Sequence, residues 1–325
     1  MNDYQFPSDT LFKTYQPDYV MHPFVSMHAV LASDDFKQEN ELALPVALGR
    51  SYKCEDGQVL MFDLADTNVL IGGACGLGKT VSINAIITSL LYKKRPEELK
   101  FVLIDPSGYN AALFKPLGER YLAVMEVTDG ARSIINDCDD AIKTLDALYH
   151  EMENRFRLFM EAEVRNIVEY NEKFTNGVLD CMKEIDNGLF HHYLPYIVTI
   201  IDEYSDYMIQ TNYKFDSYIT RVAQLSKAVG MPIVISTQRP TVSIITGIIK
   251  ANFNTSISFR TFSANDSRTI LDTTAATYLM HRGEFYYSNG DIVEHVQCAY
   301  IDEDDIKKLV EAIAMQEYSE ESYVL

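Results

Sequence analysis

Basic side chains are scarce in this 325-residue sequence: 28 lysines and arginines stand against 47 aspartates and glutamates, a formal net charge of −19. That balance excludes a protein that holds nucleic acid through an overall basic surface. A local basic channel stays open, because binding follows where charge sits rather than its sum. Cysteine is sparse too. Cys54, Cys75, Cys138, Cys181 and Cys298 are odd in number, widely spaced and free of any C-x-x-C pair. They exclude a disulfide framework and a zinc ribbon, and are expected to be reduced thiols in a cytoplasmic chain. His191-His192 follows Cys181 at a spacing that matches no zinc pattern, so packing or surface histidines are expected. No apolar run approaches the ~20 residues of a membrane helix, so direct membrane insertion is not expected. The first residues lack the basic and apolar regions of a signal peptide. With 47% apolar and 23% charged residues, the chain has the make-up of a globular protein of one large domain or two ordinary ones.

What is present is organised around one stretch, Gly73-Ala74-Cys75-Gly76-Leu77-Gly78-Lys79-Thr80, followed by Val81. It is a complete G-x-x-x-x-G-K-T phosphate loop. An apolar strand-like run, Asn68-Val69-Leu70-Ile71, precedes it and a helical pattern from Lys79 to about Leu91 follows, which is the context the motif requires. The glycines let successive N–H groups face phosphates, and the new helix turns its unpaired N–H groups and positive dipole end to the same anion. Lys79 is expected to reach the β- and γ-phosphates of a nucleoside triphosphate, and the Thr80 hydroxyl to ligate Mg²⁺.

Along the chain, residues 1–50 read as irregular apart from a short helical piece from Ser26 to Phe36. A hairpin is expected next, with its turn at Glu55-Asp56-Gly57. Lys100 to Pro106 reads as a buried strand and Tyr121 to Val127 as a third, with Thr128-Asp129-Gly130 capping a helical pattern from Ala131 to about Lys173. Arg155, Arg157 and Arg165 are expected on its solvated face. The second landmark is Pro195-Tyr-Ile-Val-Thr-Ile-Ile-Asp202-Glu203, an apolar strand ending in two acids. Downstream of a phosphate loop this is the Walker B pattern: Asp202 for the Mg²⁺ shell, Glu203 to polarise the attacking water. A helix is expected from Phe215 to Val229, then a strand from Pro232 whose polar tip carries Gln238. If that strand lies between the two motif strands, Gln238 sits near the γ-phosphate. Ser256 to Arg260 supplies one more strand, Asp266 opens a short helix, and Asp302 to Gln316 forms the last. Strands alternating with helices imply an α/β fold with a mostly parallel sheet covered on both faces. All three candidate sites follow strand ends, where such sheets bind ligands.

Taken together, Leu44-Pro-Val-Ala-Leu-Gly-Arg50, the phosphate loop, Val102-Leu-Ile-Asp-Pro106, Val164 to Lys173, Ile201-Asp-Glu-Tyr204, Ser236-Thr-Gln-Arg-Pro240, Ile245 to Asn252 and Asp266 to Asp272 resemble the motor domain of FtsK/SpoIIIE DNA translocases from about residue 26 to the C-terminus. The resemblance implies a RecA-like P-loop NTPase, a homo-hexameric ring around double-stranded DNA, and ATP hydrolysis coupled to pumping. It implies a motor domain over residues 51–325, with residues 1–50 holding an irregular segment and a stub of the ring-forming region. It places a DNA-facing loop at Arg239 to Lys250, with Arg239 and Lys250 as the expected phosphate contacts.

Three departures stand out. The family's Thr-Gly-Ser-Gly-Lys-Ser is Cys-Gly-Leu-Gly-Lys-Thr here, its Asp-Pro-Lys is Asp105-Pro106-Ser107, and its trans-acting arginine aligns with Lys227. Lysine lacks the planar fork of guanidinium, whose stabilisation is worth ~10³–10⁵ in rate, so slow or altered hydrolysis is expected. No counterpart of the family's membrane anchor or winged-helix DNA reader is expected in these residues. Two other readings share the motifs: a related ring driving conjugation or type VII protein secretion, and a nucleotide-binding scaffold that hydrolyses poorly.

Overall fold

The computed structural model describes residues 24–53, 58–127, 130–186, 188–316 and 323–325. In chain order its strands are β1 (Val25–Ser26), β2 (Pro45–Ser51), β3 (Val59–Asp63), β4 (Val69–Gly72), β5 (Leu99–Ile104), β6 (Met125–Val127), β7 (Gly130–Arg132), β8 (Ile134–Ile135), β9 (Glu184–Asp186), β10 (Leu189–Phe190), β11 (Tyr196–Ile201), β12 (Ile233–Thr237), β13 (Thr255–Phe259), β14 (Glu284–Ser288) and β15 (Val293–Tyr300). Eleven of them form one sheet in the order β3-β2-β15-β14-β13-β4-β12-β11-β5-β8, with β1 added beside β15. From β13 to β8 every pairing is parallel, while β14, β15, β2 and β3 make an antiparallel wing.

The parallel half follows from the residues. All six residues of β11 and of β5 are buried, as continuous apolar runs must be in a sheet covered on both faces. Ile233, Val234 and Ile235 of β12 are fully buried, each contributing about 1.5–3 kcal/mol over an exposed position. The helix after the phosphate loop, Lys79–Lys93, is buried at eleven of its residues.

Several local expectations are corrected. Tyr121 to Val127 is not a strand of the sheet: a short helix, Gly118–Tyr121, gives way to a single bridge at Leu122, and β6 pairs back onto β7. The next helix begins at Cys138, not Ala131, because the Asp137 carboxylate accepts from the N–H groups of Asp139 and Asp140 and sets the cap there. It ends at Glu161. Glu163 turns left-handed (φ 53°) and a second helix, Ile167–Thr175, restarts under the Asn166 cap. Arg155 is fully buried rather than solvated. Its guanidinium donates to Glu151 Oε1 (2.7 Å), the Val229 carbonyl (2.8 Å) and the Tyr323 hydroxyl (3.1 Å). The helix opened by Phe215 stops at Ala223, whose carbonyl accepts from Asn68 Nδ2 (3.1 Å), while Asn68 Oδ1 accepts from the N–H of Ile233 (2.8 Å). The boundary expected at residue 50 falls inside β2, which lies in the main sheet. The turn expected at 55–57 and the cap expected at Thr128-Asp129 lie outside the described residues. Among the described residues no helix is long and apolar enough to cross a membrane.

Candidate nucleotide site

The phosphate loop leaves the carboxyl end of β4 and is seated on β13. Ala74 N–H donates to the Arg260 carbonyl (2.9 Å), and the Leu77 carbonyl accepts from Gly283 N–H (3.0 Å). Phe259, which no motif marks, forms the floor. A Cβ on Gly73 (φ +145°) would meet Phe259 Cβ at 2.7 Å, and one on Gly78 (φ +126°) would meet Phe259 Cε1 at 2.7 Å. These two glycines are required both by backbone angle and by close approach. Lys79 is 6% exposed and lies across the loop, its Nζ donating to the carbonyls of Gly73 (2.8 Å) and Ala74 (3.0 Å). Burial lowers its pKa, against the opposing pull of Glu203, Cys75 and Asp202. Gly78 caps the helix without a side chain, so the first-turn N–H groups face outward into the cavity mouth.

The sheet order puts β12 between β4 and β11, and this brings the remaining motif residues in. Asp202 Oδ1 accepts from the Ser236 hydroxyl and from Glu203 N–H (3.0 Å). Burial pushes the Asp202 carboxyl up, the Ser236 bond opposes this, and Asp105 adds to the rise. Glu203 holds a left-handed conformation, φ 47° and ψ 54°. Its Oε1 accepts from the Ser205 hydroxyl (2.5 Å) and from the N–H of Gln238 (3.0 Å). The side chain of a strained residue is thereby tied to the tip of the neighbouring strand, an arrangement typical of functional sites. Asp105, at the end of β5, is saturated by its own turn: Oδ1 accepts from Ser107 N–H and Oγ, Oδ2 from the N–H groups of Asn110 and Ala111.

A single cavity of about 780 Å³ is lined by Cys75 through Val81, Asp202, Glu203 and Gln238. Ser236, Ser205 and Phe259 support these residues; Ser236 lies within the Ser236-to-Pro240 motif, and its bond to Asp202 follows from the sheet order, while the roles of Ser205 and Phe259 show only in the fold. Arg282, Gln297 and Tyr300 also line the cavity; Gln297 and Tyr300 come from β15 of the antiparallel wing and Arg282 from just before β14, and none of the three lies in a motif. The other candidate residues lie apart. Arg239 is exposed just past Gln238. Lys250 is bound to Asp272 Oδ1 (2.6 Å). Lys227 lines a separate cleft with Asp66, Glu172 and Tyr196, at the opposite end of the sheet from the loop. The donor set fits a magnesium nucleotide. Among the described residues no group of three or more His, Cys, Asp or Glu could hold a metal ion. Mg²⁺ typically needs only one or two protein oxygens beside phosphate and water, and Thr80 and Asp202 in this cavity supply hard oxygens of that kind.

Comparison with known proteins agrees with this geometry. The chain is 40% identical over 295 residues to "DNA translocase FtsK" of Chlorobaculum tepidum, a match covering 90% of this chain and 34% of that protein. It is 37% identical over 305 residues to the protein of the same name from Clostridium tetani, covering 92% and 37%. The chain thus spans about a third of the length of these relatives. Among solved structures, the pCW3 conjugation coupling protein TcpA, in monomer form with ATPγS, superposes with a TM-score of 0.69 at 23% identity over 89% of this chain and 74% of that one. The cytoplasmic domain of the type VII secretion ATPase EccC from Thermomonospora curvata gives 0.72 at 19% identity, over 94% and 36%. Both show a shared P-loop fold. Residues 27–242 match the FtsK/SpoIIIE family model, more than half of the sequence, and the chain belongs to the FtsK/SpoIIIE family.

Proposed function

We propose that this chain is an ATP-hydrolysing motor that moves double-stranded DNA as a homo-hexameric ring. The observation that carries the reading is the sheet order β4-β12-β11, which gathers a phosphate loop, an Asp-Glu pair and a Gln-tipped strand around one cavity. Relatives that share 37–40% identity bear the name of DNA translocases. In this reading Gly73 to Val81 cradle the phosphates and Lys79 exchanges its two carbonyl partners for phosphate oxygens. Thr80 and Asp202 would hold Mg²⁺, whose charge offsets that developing on the transferred group. Glu203 orients the attacking water, and its bond to the Gln238 N–H keeps the two side chains in register. Lys227, at the far end of the sheet, serves a neighbour's site across the ring. Arg239 and Lys250 contact DNA phosphates, and Lys250 does so in competition with Asp272.

The test is steady-state ATP hydrolysis with and without long duplex DNA, beside Glu203→Ala. Stimulation by DNA that disappears in the variant is expected. Hydrolysis indifferent to DNA would move the reading to another cargo such as secreted protein, and ATP binding without hydrolysis would leave a scaffold. Lys227→Ala is expected to slow the assembled enzyme, and Lys227→Arg to raise its rate. A near-normal rate in Lys227→Ala would remove Lys227 from the site.

A further inference from the structure

The cavity does not end at the phosphate loop. Its volume suits a whole small molecule rather than phosphate alone, and its far wall is aromatic. Phe24, immediately before β1, and Tyr300, the last residue of β15, both line it. Their ring centroids are 5.8 Å apart, with planes inclined at 57°. The pair closes the end of the sheet, where β1 runs parallel to β15 with Ser26 beside Tyr300, yet the two residues stay 36% and 38% exposed. A short backbone path connects them to the loop. The Leu77 carbonyl accepts from Gly283 N–H, and the Gly283 carbonyl accepts from Cys298 N–H (2.8 Å). Tyr300 lies two residues, ~7 Å, further along the strand.

We propose that Tyr300 and Phe24 form the nucleobase subsite of this cavity, with the Tyr300 ring as stacking platform for a purine and Phe24 as its edge. The proposal rests on the nucleotide-binding reading above and adds what the phosphate loop cannot supply. The loop reads phosphates, which every nucleoside triphosphate and inorganic tripolyphosphate share. An exposed ring at the other end of the cavity reads the base, and a purine covers more of it than a pyrimidine does. Stacking of a base on an aromatic side chain is worth roughly 5- to 150-fold in affinity. The Tyr300 hydroxyl donates to Asp302 Oδ2 at 3.4 Å, so Tyr300→Phe removes that contact and keeps the platform.

The experiment is equilibrium binding of ATP, CTP and inorganic tripolyphosphate, each with Mg²⁺, to the full chain and to Tyr300→Ala, Tyr300→Phe, Phe24→Ala and Lys79→Ala. Tyr300→Ala is expected to weaken ATP by about ten-fold or more and to leave tripolyphosphate within about two-fold. Tyr300→Phe should keep both affinities, Phe24→Ala should give a smaller loss for ATP alone, and the preference for ATP over CTP should collapse in Tyr300→Ala. Unchanged ATP affinity in Tyr300→Ala, while Lys79→Ala abolishes it, would overturn the subsite and leave the nucleotide reading standing. Equal losses for ATP and tripolyphosphate would make the ring pair a structural brace and also overturn it. An unmodified chain that binds neither ligand would overturn both readings.

Discussion

Glu203 offers a test of strain that separates backbone from side chain. Its φ of 47° and ψ of 54° lie in the region where an L-residue costs about 1–2 kcal/mol relative to glycine. Both Glu203→Ala and Glu203→Gly remove the carboxylate and its bonds to Ser205 and Gln238, so those losses cancel when the two variants are compared with each other. What remains is the left-handed cost, carried by alanine alone, against the extra unfolded-state freedom of glycine, about 0.5–1 kcal/mol. The glycine variant should therefore be the more stable by about 0.5–1 kcal/mol, the reverse of the usual ranking inside a helix or strand. For a chain of 325 residues that is a rise of roughly 1 °C in Tm. Urea and thermal unfolding of the two proteins without nucleotide measure it directly. Equal stability, or an advantage for alanine, would show that the turn after β11 relaxes freely and that no strain is held there.

Three further outcomes follow from the same structure. Gly76→Ala, where a Cβ meets nothing within 4 Å but φ is +73°, should cost about 1 kcal/mol and retain ATP binding. Gly73→Ala, which drives a Cβ into Phe259, should cost more and weaken ATP, as urea titration and calorimetry would show; similar losses for the two would refute the Phe259 floor. Arg155→Ala should destabilise by about 3–5 kcal/mol, because the Glu151 carboxylate loses its buried partner. Denaturant midpoints check this, and a loss below about 1 kcal/mol would mean that Tyr323 or water replaces it. For Glu284, burial works against ionisation, but the N–H groups of His281 and Met280 together with the charges of His281 and His295 hold the carboxyl below its usual 4.5. A depressed folded pKa means that its contribution is present above pH 4.5 and is lost as pH falls through the folded value. The stability gap between the protein and Glu284→Gln should accordingly shrink with acidification below that pH, and a gap that stays constant would count against those two bonds.

The legible parts share a cause. The phosphate loop, the run from Pro195 to Glu203 and the strand ending at Gln238 are local patterns: continuous apolar residues that must be buried on both faces, closed by glycine or by a polar tip. Their chemistry is contained in a dozen residues each, and so is that of the last helix, expected over Asp302 to Gln316 and found over Glu303–Ala314, where the Asp302 carboxylate caps it by accepting from Asp304 N–H (2.8 Å). The misjudged parts share another. Ala131 to Ile135 has helical spacing, yet Asp137 offers a better cap, and the preceding residues are drawn out as β7 and β8, where Ile134 and Ile135 pair with Leu103 and Ile104 of β5. Arg155 lies in a charged helical stretch, and only the arrival of Glu151, Val229 and Tyr323 around it makes its burial tolerable.

By itself, then, the sequence determined that the chain has a phosphate loop on a strand-to-helix turn, an acidic strand end to complement it, and a mostly parallel α/β core, because each depends on short-range sterics and on where consecutive side chains must hide from water. The tertiary structure alone decided the neighbours. It put β12 between β4 and β11, so that Gln238 meets Glu203. It added the wing of β14, β15, β2 and β3, which brings Gln297, Arg282 and the Tyr300–Phe24 pair to the same cavity. It also set Phe259 beneath two glycines and sent Lys227 to the far end of the sheet. Those relations join residues up to more than 200 positions apart, as the bond from Tyr52 to Gln297 does across 245. Pairings over such distances are selected by which buried faces fit together after the chain has closed on itself, and no window of the sequence contains both partners.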